Sequence, residues 1–486
     1  MSDEDFPQDD FPFVYKPMKH QVEEWAFRDT FARGLLWDPG TGKSKSAIDK
    51  MAYLFLTDKI DTVIIMAKKG EYTNWKYVEI PEHMPPEVDF VCEVYRSALK
   101  EHEKQNIRNL VKPSNKLRIL NINAESMIHE GGQVARAFAK TRQKGLMFIL
   151  DESTLAKSHK SARAKAIYKL SVLAKYRMIM TGTFTPNNPL DAWGQAKVLG
   201  ENLFGTTSFF SYKTEYCTEE KQYFGQRSFN KIVGFKNLNR LNEKIKAFAS
   251  IKERHECFDL PPKIYKKIVV PLSDEQEQMY SDMRDMAFAQ FGDDTIVEAA
   301  SAMEIISKMD QIAVGQLKLD DGSYRILKNH RVEAVMTQLE DSTAKGIIWC
   351  NYRGMLEHMF EELRKAYSTA KVARFYGGVK DDERENAVKW FQDPGGAVQW
   401  IVANQQSLGY GRTLTTGKEN HYISNGYNLE HRLQSEDRTM RLGQNDSVLY
   451  NDYYSRNTVN EKIFVSLRAK KNVMAEILGT SLRNWI

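Results

Sequence analysis

Trp37-Asp38-Pro39-Gly40-Thr41-Gly42-Lys43-Ser44 follows the apolar run Gly34-Leu35-Leu36 and opens a segment with helical periodicity at 44–56. This order of apolar run, glycine-rich turn and helix is typical of a phosphate-binding loop. The glycines let consecutive backbone N–H groups face an anion, and the helix N-terminus adds a positive dipole. In such a loop Lys43 would reach the β and γ phosphates of a nucleotide, and Ser44 would hold Mg²⁺. The alternative is a glycine turn that only starts a helix.

A pair of carboxylates follows another apolar run further along the chain. The run 146–150 leads directly into Asp151-Glu152-Ser153-Thr154. Open α/β sheets bind ligands at the carboxyl ends of their strands, so we expect Asp151 in the Mg²⁺ shell and Glu152 beside the attacking water, which it orients or deprotonates. An Asp-Glu pair after a strand is also typical of a solvated helix cap. Its position after a phosphate-binding loop favours the catalytic interpretation.

Short apolar runs alternate with segments of helical periodicity along most of the chain. Such runs are typical of buried parallel strands. They form two series, at 62–66, 117–122, 146–150 and 177–180, then at 346–350, 372–375, 398–402 and 421–424. Helical patterns include 44–56 and 162–173. The alternation predicts an α/β fold with two lobes, each a mostly parallel sheet flanked by helices, together with helical insertions.

The composition excludes several classes of protein. With 486 residues, 42% of them hydrophobic and 27% charged, the chain is too apolar to be disordered throughout. No apolar stretch nears the roughly 18 residues of a membrane helix, and the acidic start resembles neither a secretory signal nor a transit peptide. The four cysteines lack a C-x-x-C pair, which indicates neither a zinc site nor a disulfide framework. We therefore expect a cytoplasmic protein without a membrane partner.

An arginine-rich segment stands near the carboxyl end of the chain. In the run 434–444, QSEDRTMRLGQ, Arg438 and Arg441 are three residues apart and would share a helix face. Guanidinium groups stabilise the charge that develops on a transferring phosphoryl group. The alternative is an ordinary charged helix.

The order of these segments resembles that of the superfamily two helicases, and most closely their Swi/Snf-like branch, over almost the whole chain. The run 17–21 resembles the adenine-contacting motif, 38–44 and 151–154 resemble motifs I and II, and 178–188 resembles motif III. In the second half, 346–353, 407–411 and 434–444 resemble motifs IV, V and VI, and 260–263 matches the family's segment between lobes. The departures are Thr154 and Met440, where many relatives carry other residues. Compact forms with the run 428–438 look like bacteriophage enzymes, which suggests a viral origin.

The resemblance implies two RecA-like lobes and a role for each matching residue. An acidic tail at 1–14 precedes the first lobe, which the resemblance places at 15–262 with a basic and aromatic insertion at about 200–250. It places the second lobe at 263–486 with a helical insertion at about 273–335. The implied catalytic residues are Lys43, Asp151, Glu152, Gln434, Arg438 and Arg441, with Mg²⁺ on Ser44 and Asp151. The implied ATP contacts are Gln21, Pro39, Gly40, Thr41, Gly42, Lys43, Ser44, Gly409 and Gly411. The implied DNA contacts are Lys68, Lys69, Asn74, Trp75, Thr183, Tyr352 and Arg353.

The expected function is that of a motor that hydrolyses Mg-ATP in a cleft between the lobes and moves on, or remodels, duplex, forked or branched DNA. The expected partners are DNA and viral replication or recombination proteins, and the expected state is a monomer. The aromatic and basic residues of 209–236 suit stacking on bases and binding of phosphates, although core packing explains the aromatics equally well. An RNA-remodelling helicase and an ATP switch that acts on a protein partner are the alternatives.

Overall fold

The computed structural model describes residues 10–69, 71–224, 227–291, 299–319, 321–340, 342–408 and 413–479. By its internal contacts the chain divides into two compact units. It passes from the first to the second between Asp259 and Leu260, beside the turn 260–263. Residues 219–224 and 227–232 group with the second unit, and residues 473–479 group with the first. No helix in the described part is long and apolar enough to cross a membrane.

The first unit contains a seven-stranded sheet in which every strand pairs in parallel with its neighbours. The strand order is β3-β4-β2-β5-β6-β1-β9. Strands β7 and β8 form a separate two-stranded ribbon, most of which groups with the second unit. The strands are β1 (Ala32–Trp37), β2 (Thr62–Ala67), β3 (Phe90–Tyr95), β4 (Leu117–Asn123), β5 (Leu146–Asp151), β6 (Tyr176–Met180), β7 (Cys217–Phe224), β8 (Arg227–Phe235) and β9 (Ala249–Lys252).

Helices connect these strands and cover the sheet, and side chains such as Ile48, Met51, Val63 and Ile65 are fully buried in the resulting core. The helices are α1 (Lys19–Trp25), α2 (Lys43–Leu56), α3 (Tyr72–Asn74), α4 (Ile80–His83), α5 (Glu101–Leu110), α6 (Glu130–Lys140), α7 (Ala162–Ser171), α8 (Asp191–Leu199), α9 (Phe209–Tyr216), α10 (Leu238–Phe248) and α11 (Arg254–Cys257). A π-helical turn, Trp75–Glu79, links α3 to α4.

The second unit contains a six-stranded parallel sheet in the order β10-β17-β16-β13-β15-β14 and a small antiparallel pair of β11 with β12. Its strands are β10 (Lys263–Val269), β11 (Gln316–Lys318), β12 (Tyr324–Ile326), β13 (Lys345–Trp349), β14 (Val372–Phe375), β15 (Trp400–Ala403), β16 (Gly417–Tyr422) and β17 (Val448–Tyr454). Its helices are α12 (Asp274–Phe291), α13 (Ala299–Val314), α14 (His330–Leu339), α15 (Arg353–Tyr367), α16 (Asp381–Gln392), α17 (Gln405–Leu408), α18 (Leu429–Glu436) and α19 (Val459–Leu478), whose last residues belong to the first unit.

The predicted fold class is confirmed, since both units are parallel sheets flanked by helices. Each apolar run of the sequence overlaps a strand, and the helices expected at 44–56 and 162–173 are α2 and α7. The shared helix face expected for Arg438 and Arg441 is wrong. Helix α18 ends at Glu436, and both arginines lie in the turns that follow it.

Candidate active site

The loop between β1 and α2 has the backbone that an anion site needs. Gly40 and Gly42 adopt left-handed conformations, with φ values of 80° and 79°. Gly42 is the N-cap residue of α2, and it has no side chain that could accept from the first N–H groups of the helix. The first turn of a helix has N–H groups without intrahelical acceptors, and here no capping side chain takes them. Together with the helix dipole, these groups favour a phosphate.

Two side chains of helix α1 contact the backbone carbonyl groups of this loop. The Gln21 amide donates to the Gly42 carbonyl at 3.1 Å and accepts from the Met18 N–H at 2.9 Å. His20 Nε2 lies 2.7 Å from the carbonyl oxygen of Thr41, and burial lowers the pKa of this histidine. Gln21 was expected to contact adenine, which stays a prediction. The structure shows that its amide also fixes the backbone of the loop.

Lys43 folds over the loop that precedes it. Its Nζ donates to the carbonyl oxygens of Trp37 at 2.8 Å and Asp38 at 3.1 Å. Burial lowers the pKa of the amine, and the charges of Glu152, Asp151 and Asp38 oppose that shift. The cation therefore lies within the electrostatic field of both carboxylates of the acidic pair, where a phosphate chain would also be held.

Asp151 ends β5, and a tryptophan from a distant segment orients it. The indole N–H of Trp75 donates to Asp151 Oδ2 at 2.9 Å, and the Trp75 side chain is buried in the core. Burial raises the pKa of Asp151, while the Trp75 hydrogen bond and the positive charges of Lys43 and Lys68 counteract that rise. The carboxylate is thus held in place by a neutral donor and faces cations.

Glu152 occupies a strained backbone position and is bonded by two hydroxyls. Its φ of 62° lies in the left-handed region, which is uncommon for a residue with a side chain. Such strain clusters at functional sites. Its Oε1 accepts hydrogen bonds from the Thr181 hydroxyl at 2.5 Å and the Thr154 hydroxyl at 3.1 Å, and Thr181 Oγ1 in turn accepts from the Thr183 N–H at 3.1 Å. The 181–183 segment therefore controls the orientation of the carboxylate.

The strand order explains why these residues meet. Strand β6 lies between β5 and β1, with Met180 in register with Asp151 on one side and Leu35 on the other. The loop after β6 packs so closely on the phosphate-binding loop that a Cβ on Gly182 would lie 2.8 Å from Pro39 Cδ. The carboxyl ends of three adjacent strands thus form one site, as expected for an open α/β sheet.

Arg254, which follows β9, is a site residue that the sequence analysis missed. Its N–H donates to Asp38 Oδ2 at 2.9 Å, and its buried guanidinium donates through Nε to the Pro39 carbonyl at 3.0 Å. These hydrogen bonds hold the start of the phosphate-binding loop, although Arg254 is more than 200 residues away in sequence. No local motif marks it, so only the parallel pairing of β9 with β1 reveals its role.

The donor set of the site suits Mg²⁺ bound together with a nucleotide. Ser44 supplies a hydroxyl in the first turn of α2, and Asp151 supplies a carboxylate at the end of β5. Mg²⁺ prefers such hard oxygen ligands, usually one or two from the protein with the rest from phosphates and water. The described residues contain no cluster of three or more acidic, histidine or cysteine side chains that could hold a metal ion.

The arginines of the 434–444 segment are held by their own backbone. Buried Arg438 donates through Nε to the Gln434 carbonyl at 3.0 Å. Arg441 donates to the Asp437 carbonyl at 3.0 Å and to the Thr413 hydroxyl at 3.1 Å. Gln434 is buried and donates to Glu430 at 3.4 Å. The catalytic roles of these three residues remain predictions.

A buried charge network that the sequence did not predict fixes α18 in the second unit. Arg432 binds Glu436 at 2.9 Å and forms two hydrogen bonds to Asp452 on β17. Glu436 also accepts from Lys263 at 3.0 Å and from the Tyr265 hydroxyl at 2.7 Å. Although burial opposes ionisation of Glu436, the charges of Lys263 and Arg432 dominate and lower its pKa to about 2.

The residues predicted to contact DNA differ widely in exposure. Lys69, Asn74 and Arg353 are exposed, although Asn74 donates to Glu79 at 3.1 Å and Arg353 pairs with Glu357 at 2.9 Å. Lys68 and Tyr352 are half-buried, and the Tyr352 hydroxyl donates to Asp310. Thr183 and Trp75 are buried. The DNA contacts as a set stay predictions. Gly409 and Gly411, which are predicted to contact ATP, lie outside the described residues.

Comparisons with known proteins place the chain in a family. Residues 24–316 match the SNF2-related domain, and residues 328–443 match the helicase conserved C-terminal domain. The chain is 24% identical to the DNA annealing helicase and endonuclease ZRANB3 of Bos taurus, over 91% of this chain and 38% of the relative. It is 23% identical to the putative ATP-dependent helicase/translocase YwqA of Bacillus subtilis, over 69% and 36% of the two chains.

The chain therefore spans well under half the length of these two relatives. A solved structure of the Sulfolobus solfataricus SWI2/SNF2 ATPase core in complex with dsDNA aligns over 98% of this chain and 99% of that chain, with 18% identity and a TM-score of 0.43. The SNF2-related match alone covers more than half of the present sequence. The chain belongs to the SNF2-related family, the Swi/Snf-like branch of the superfamily two helicases.

Proposed function

We propose that this protein is an ATP-dependent DNA translocase or helicase. The observation that carries the proposal is the assembly of Lys43, Asp151 and Glu152 at and beyond the carboxyl ends of β1 and β5, which flank β6, with each side chain held by named partners. Family membership supports DNA as the partner, since the names of the matched relatives include a DNA annealing helicase. Forked or branched DNA is the substrate we propose for strand displacement or branch migration.

In this proposal each site residue has one task. The loop N–H groups and Lys43 bind the phosphates, while Ser44 and Asp151 hold Mg²⁺, which neutralises phosphate charge when it is bound. Glu152, oriented by Thr181, positions the attacking water and takes its proton. Arg438 and Arg441 stabilise the charge on the transferring phosphoryl group. The likeness of 428–438 to bacteriophage enzymes supports a viral origin, with viral replication proteins as further partners.

The test measures ATP turnover with and without DNA for the full chain. Lys43→Ala and Glu152→Gln should each lower DNA-stimulated turnover by about 10²- to 10⁴-fold, since phosphate binding or general-base action is lost. Lys104→Ala, on the exposed surface of α5, is the matched control and should turn over ATP normally. Near-normal turnover in either site variant would show that its residue has another role.

The nucleic-acid partner is tested separately by adding duplex DNA, forked DNA or duplex RNA of equal length. DNA should stimulate turnover more than RNA, and forked DNA should be unwound in a strand-displacement assay. Greater stimulation by RNA would identify an RNA-remodelling enzyme instead. Turnover that ignores both nucleic acids would indicate a switch that acts on a protein.

A further inference from the structure

The ribbon of β7 and β8 presents one face with an unusual combination of side chains. The Lys236 N–H donates to the Tyr216 carbonyl at 3.0 Å, and a Cβ on Gly234 would lie 3.9 Å from Thr218 Cβ. Gly234 and Thr218 therefore lie on the same face, and alternation along each strand puts Lys221 and Tyr223 of β7 and Phe229 and Lys231 of β8 on the other face. Because alternate side chains of a strand point to the same face, these four side chains share one face of the ribbon.

The aromatic rings of this face are exposed to solvent. Tyr223 has 70% of its surface exposed and Phe229 has 53%, and both lysines are exposed as well. Lys221 Nζ lies 5.3 Å from the centre of the Tyr223 ring, so cation and ring form one surface. In contrast, Tyr212 and Tyr216 of the preceding helix α9 are fully buried. The structure thus separates the aromatics of 209–236 into a core group and an exposed group.

The exposed face is unfavourable for the ribbon in the absence of a partner. Two exposed rings leave apolar surface in water. Lys221 and Lys231 bring two positive charges to the same face, and like charges repel. A partner that offers flat apolar surfaces and negative charge a short distance away relieves both costs. The faces of nucleic-acid bases and their phosphates supply this combination.

We propose that the Lys221–Tyr223–Phe229–Lys231 face is a binding site for unpaired DNA bases, with the rings stacking on bases and the lysines contacting phosphates. The inference rests on the proposed function and narrows it. Bases inside a duplex are already stacked and hide their faces, whereas single strands and fork arms expose them. The ribbon therefore selects DNA that contains unpaired bases over blunt duplex.

The test measures DNA binding of the full chain without ATP, by fluorescence anisotropy on single-stranded, forked and blunt duplex DNA of equal length. The paired change Tyr223→Ala and Phe229→Ala should weaken binding to single strands and forks by about tenfold or more, from the loss of two stacked bases, and should leave blunt duplex binding unchanged. Lys221→Ala with Lys231→Ala should make single-strand binding less dependent on salt, with a log–log slope smaller by about 1.4.

The opposite face of the ribbon provides the matched control. Gln222→Ala with Asn230→Ala changes one polar residue of each strand on that face and should leave binding to every DNA unchanged. Tyr223→Leu with Phe229→Leu keeps apolar side chains but removes the rings, so it should behave like the alanine pair. A leucine pair that binds like the unaltered protein would indicate an apolar surface for a protein partner and would overturn the inference.

Two further outcomes would also overturn it. Equal weakening on all three DNAs would assign the rings a structural role, and unchanged binding by the alanine pair would exclude stacking. The result is independent of the proposed function as a motor, because it needs no ATP turnover. A protein that binds DNA normally but is never stimulated by it would contradict the motor and leave the stacking face supported.

Discussion

At the scale of single residues, Trp75 is placed to orient Asp151, the carboxylate proposed to bind Mg²⁺. It starts the π-helical turn Trp75–Glu79, a rare geometry that is frequent at functional sites. Its indole N–H reaches Asp151 across 76 residues of sequence. Outer hydrogen bonds of this kind orient metal ligands, and their loss typically costs about 10- to 100-fold in metal affinity or activity. We therefore propose that Trp75 positions Asp151.

Trp75→Phe tests this, since it keeps an aromatic ring and removes the N–H. We expect the concentration of Mg²⁺ that half-saturates binding of a fluorescent ATP analogue to rise by about tenfold or more. Trp349→Phe is the control, because it removes another buried indole hydrogen bond, to Asn420 in the second unit. The same Mg²⁺ requirement in Trp75→Phe and the unaltered protein would leave Trp75 with a packing role only.

Gly40 and Gly42 form a natural comparison because their backbones are alike and their surroundings are not. Alanine at either position pays about 1–2 kcal/mol for a left-handed conformation. At Gly40 the added Cβ meets no atom within 4 Å, whereas at Gly42 it would lie 2.4 Å from the Gln21 amide nitrogen. Gly42→Ala therefore disturbs the loop as well as straining it.

We expect Gly42→Ala to weaken ATP binding more than Gly40→Ala, measured by titration with a fluorescent analogue. Adding Gln21→Ala to Gly42→Ala should restore part of the lost thermal stability, because it removes the clashing amide. Equal effects of the two glycine substitutions, without any gain in the double variant, would contradict the close contact between α1 and the loop.

At the scale of elements, strands that are buried on both faces can be predicted from the sequence. Strands that form because they pair with a distant segment cannot. Buried parallel strands are continuous apolar runs, so β2, β4 and β5 could be found with errors of one residue at their ends. Strands β9 and β10, ASIK and KIYKKIV, are polar or basic and gave no such signal. They become strands because they pair with β1 and β17.

The residues of the candidate site also divide into those that local motifs predict and those that depend on long-range pairing. The glycines, Lys43 and the Asp151-Glu152 pair are marked by local motifs, because chemistry requires those residue types at fixed spacing. Arg254 and the Trp75–Asp151 contact depend on which strands become neighbours, which a single sequence does not encode locally. The shared helix face predicted for Arg438 and Arg441 is wrong because their spacing fits a helix, whereas α18 ends at Glu436.

The charge network of α18 gives the second unit a testable dependence on pH. The pKa of Glu436 is about 2 in the folded chain, compared with 4.5 for an ordinary glutamate. Because the folded value is the lower one, the carboxylate stabilises the fold above pH 4.5 and loses that effect as the pH falls towards 2. The shift corresponds to on the order of 3 kcal/mol.

Glu436→Gln should therefore lower the free energy of unfolding at pH 7 and make it less dependent on pH between 5 and 3, as measured by urea unfolding at several pH values. Glu383→Gln, which alters a half-exposed pair with Arg374, is the control and should keep the pH dependence of the unaltered protein. The same pH dependence in Glu436→Gln would contradict the depressed pKa.

At the scale of the whole molecule, the charge balance limits how DNA can be held. The 69 basic and 64 acidic residues leave a net charge of only +5 on 486 residues. Long-range attraction from so small a net charge is weak and is screened beyond about 10 Å at ordinary salt. Affinity for DNA must therefore come from local groups that contact phosphates directly, such as exposed lysines and arginines.

Contacts of this kind release counterions, so the proposed function predicts a steep dependence on salt. Between about 50 and 200 mM salt, the DNA concentration that half-maximally stimulates ATP turnover should rise by more than about tenfold, on a straight log–log line. Turnover without DNA should change little, and a thermal melt at each salt concentration checks that the protein stays folded. If this DNA concentration did not depend on salt, phosphate contacts would not be what holds the DNA. That result would contradict the proposed function as a DNA translocase or helicase.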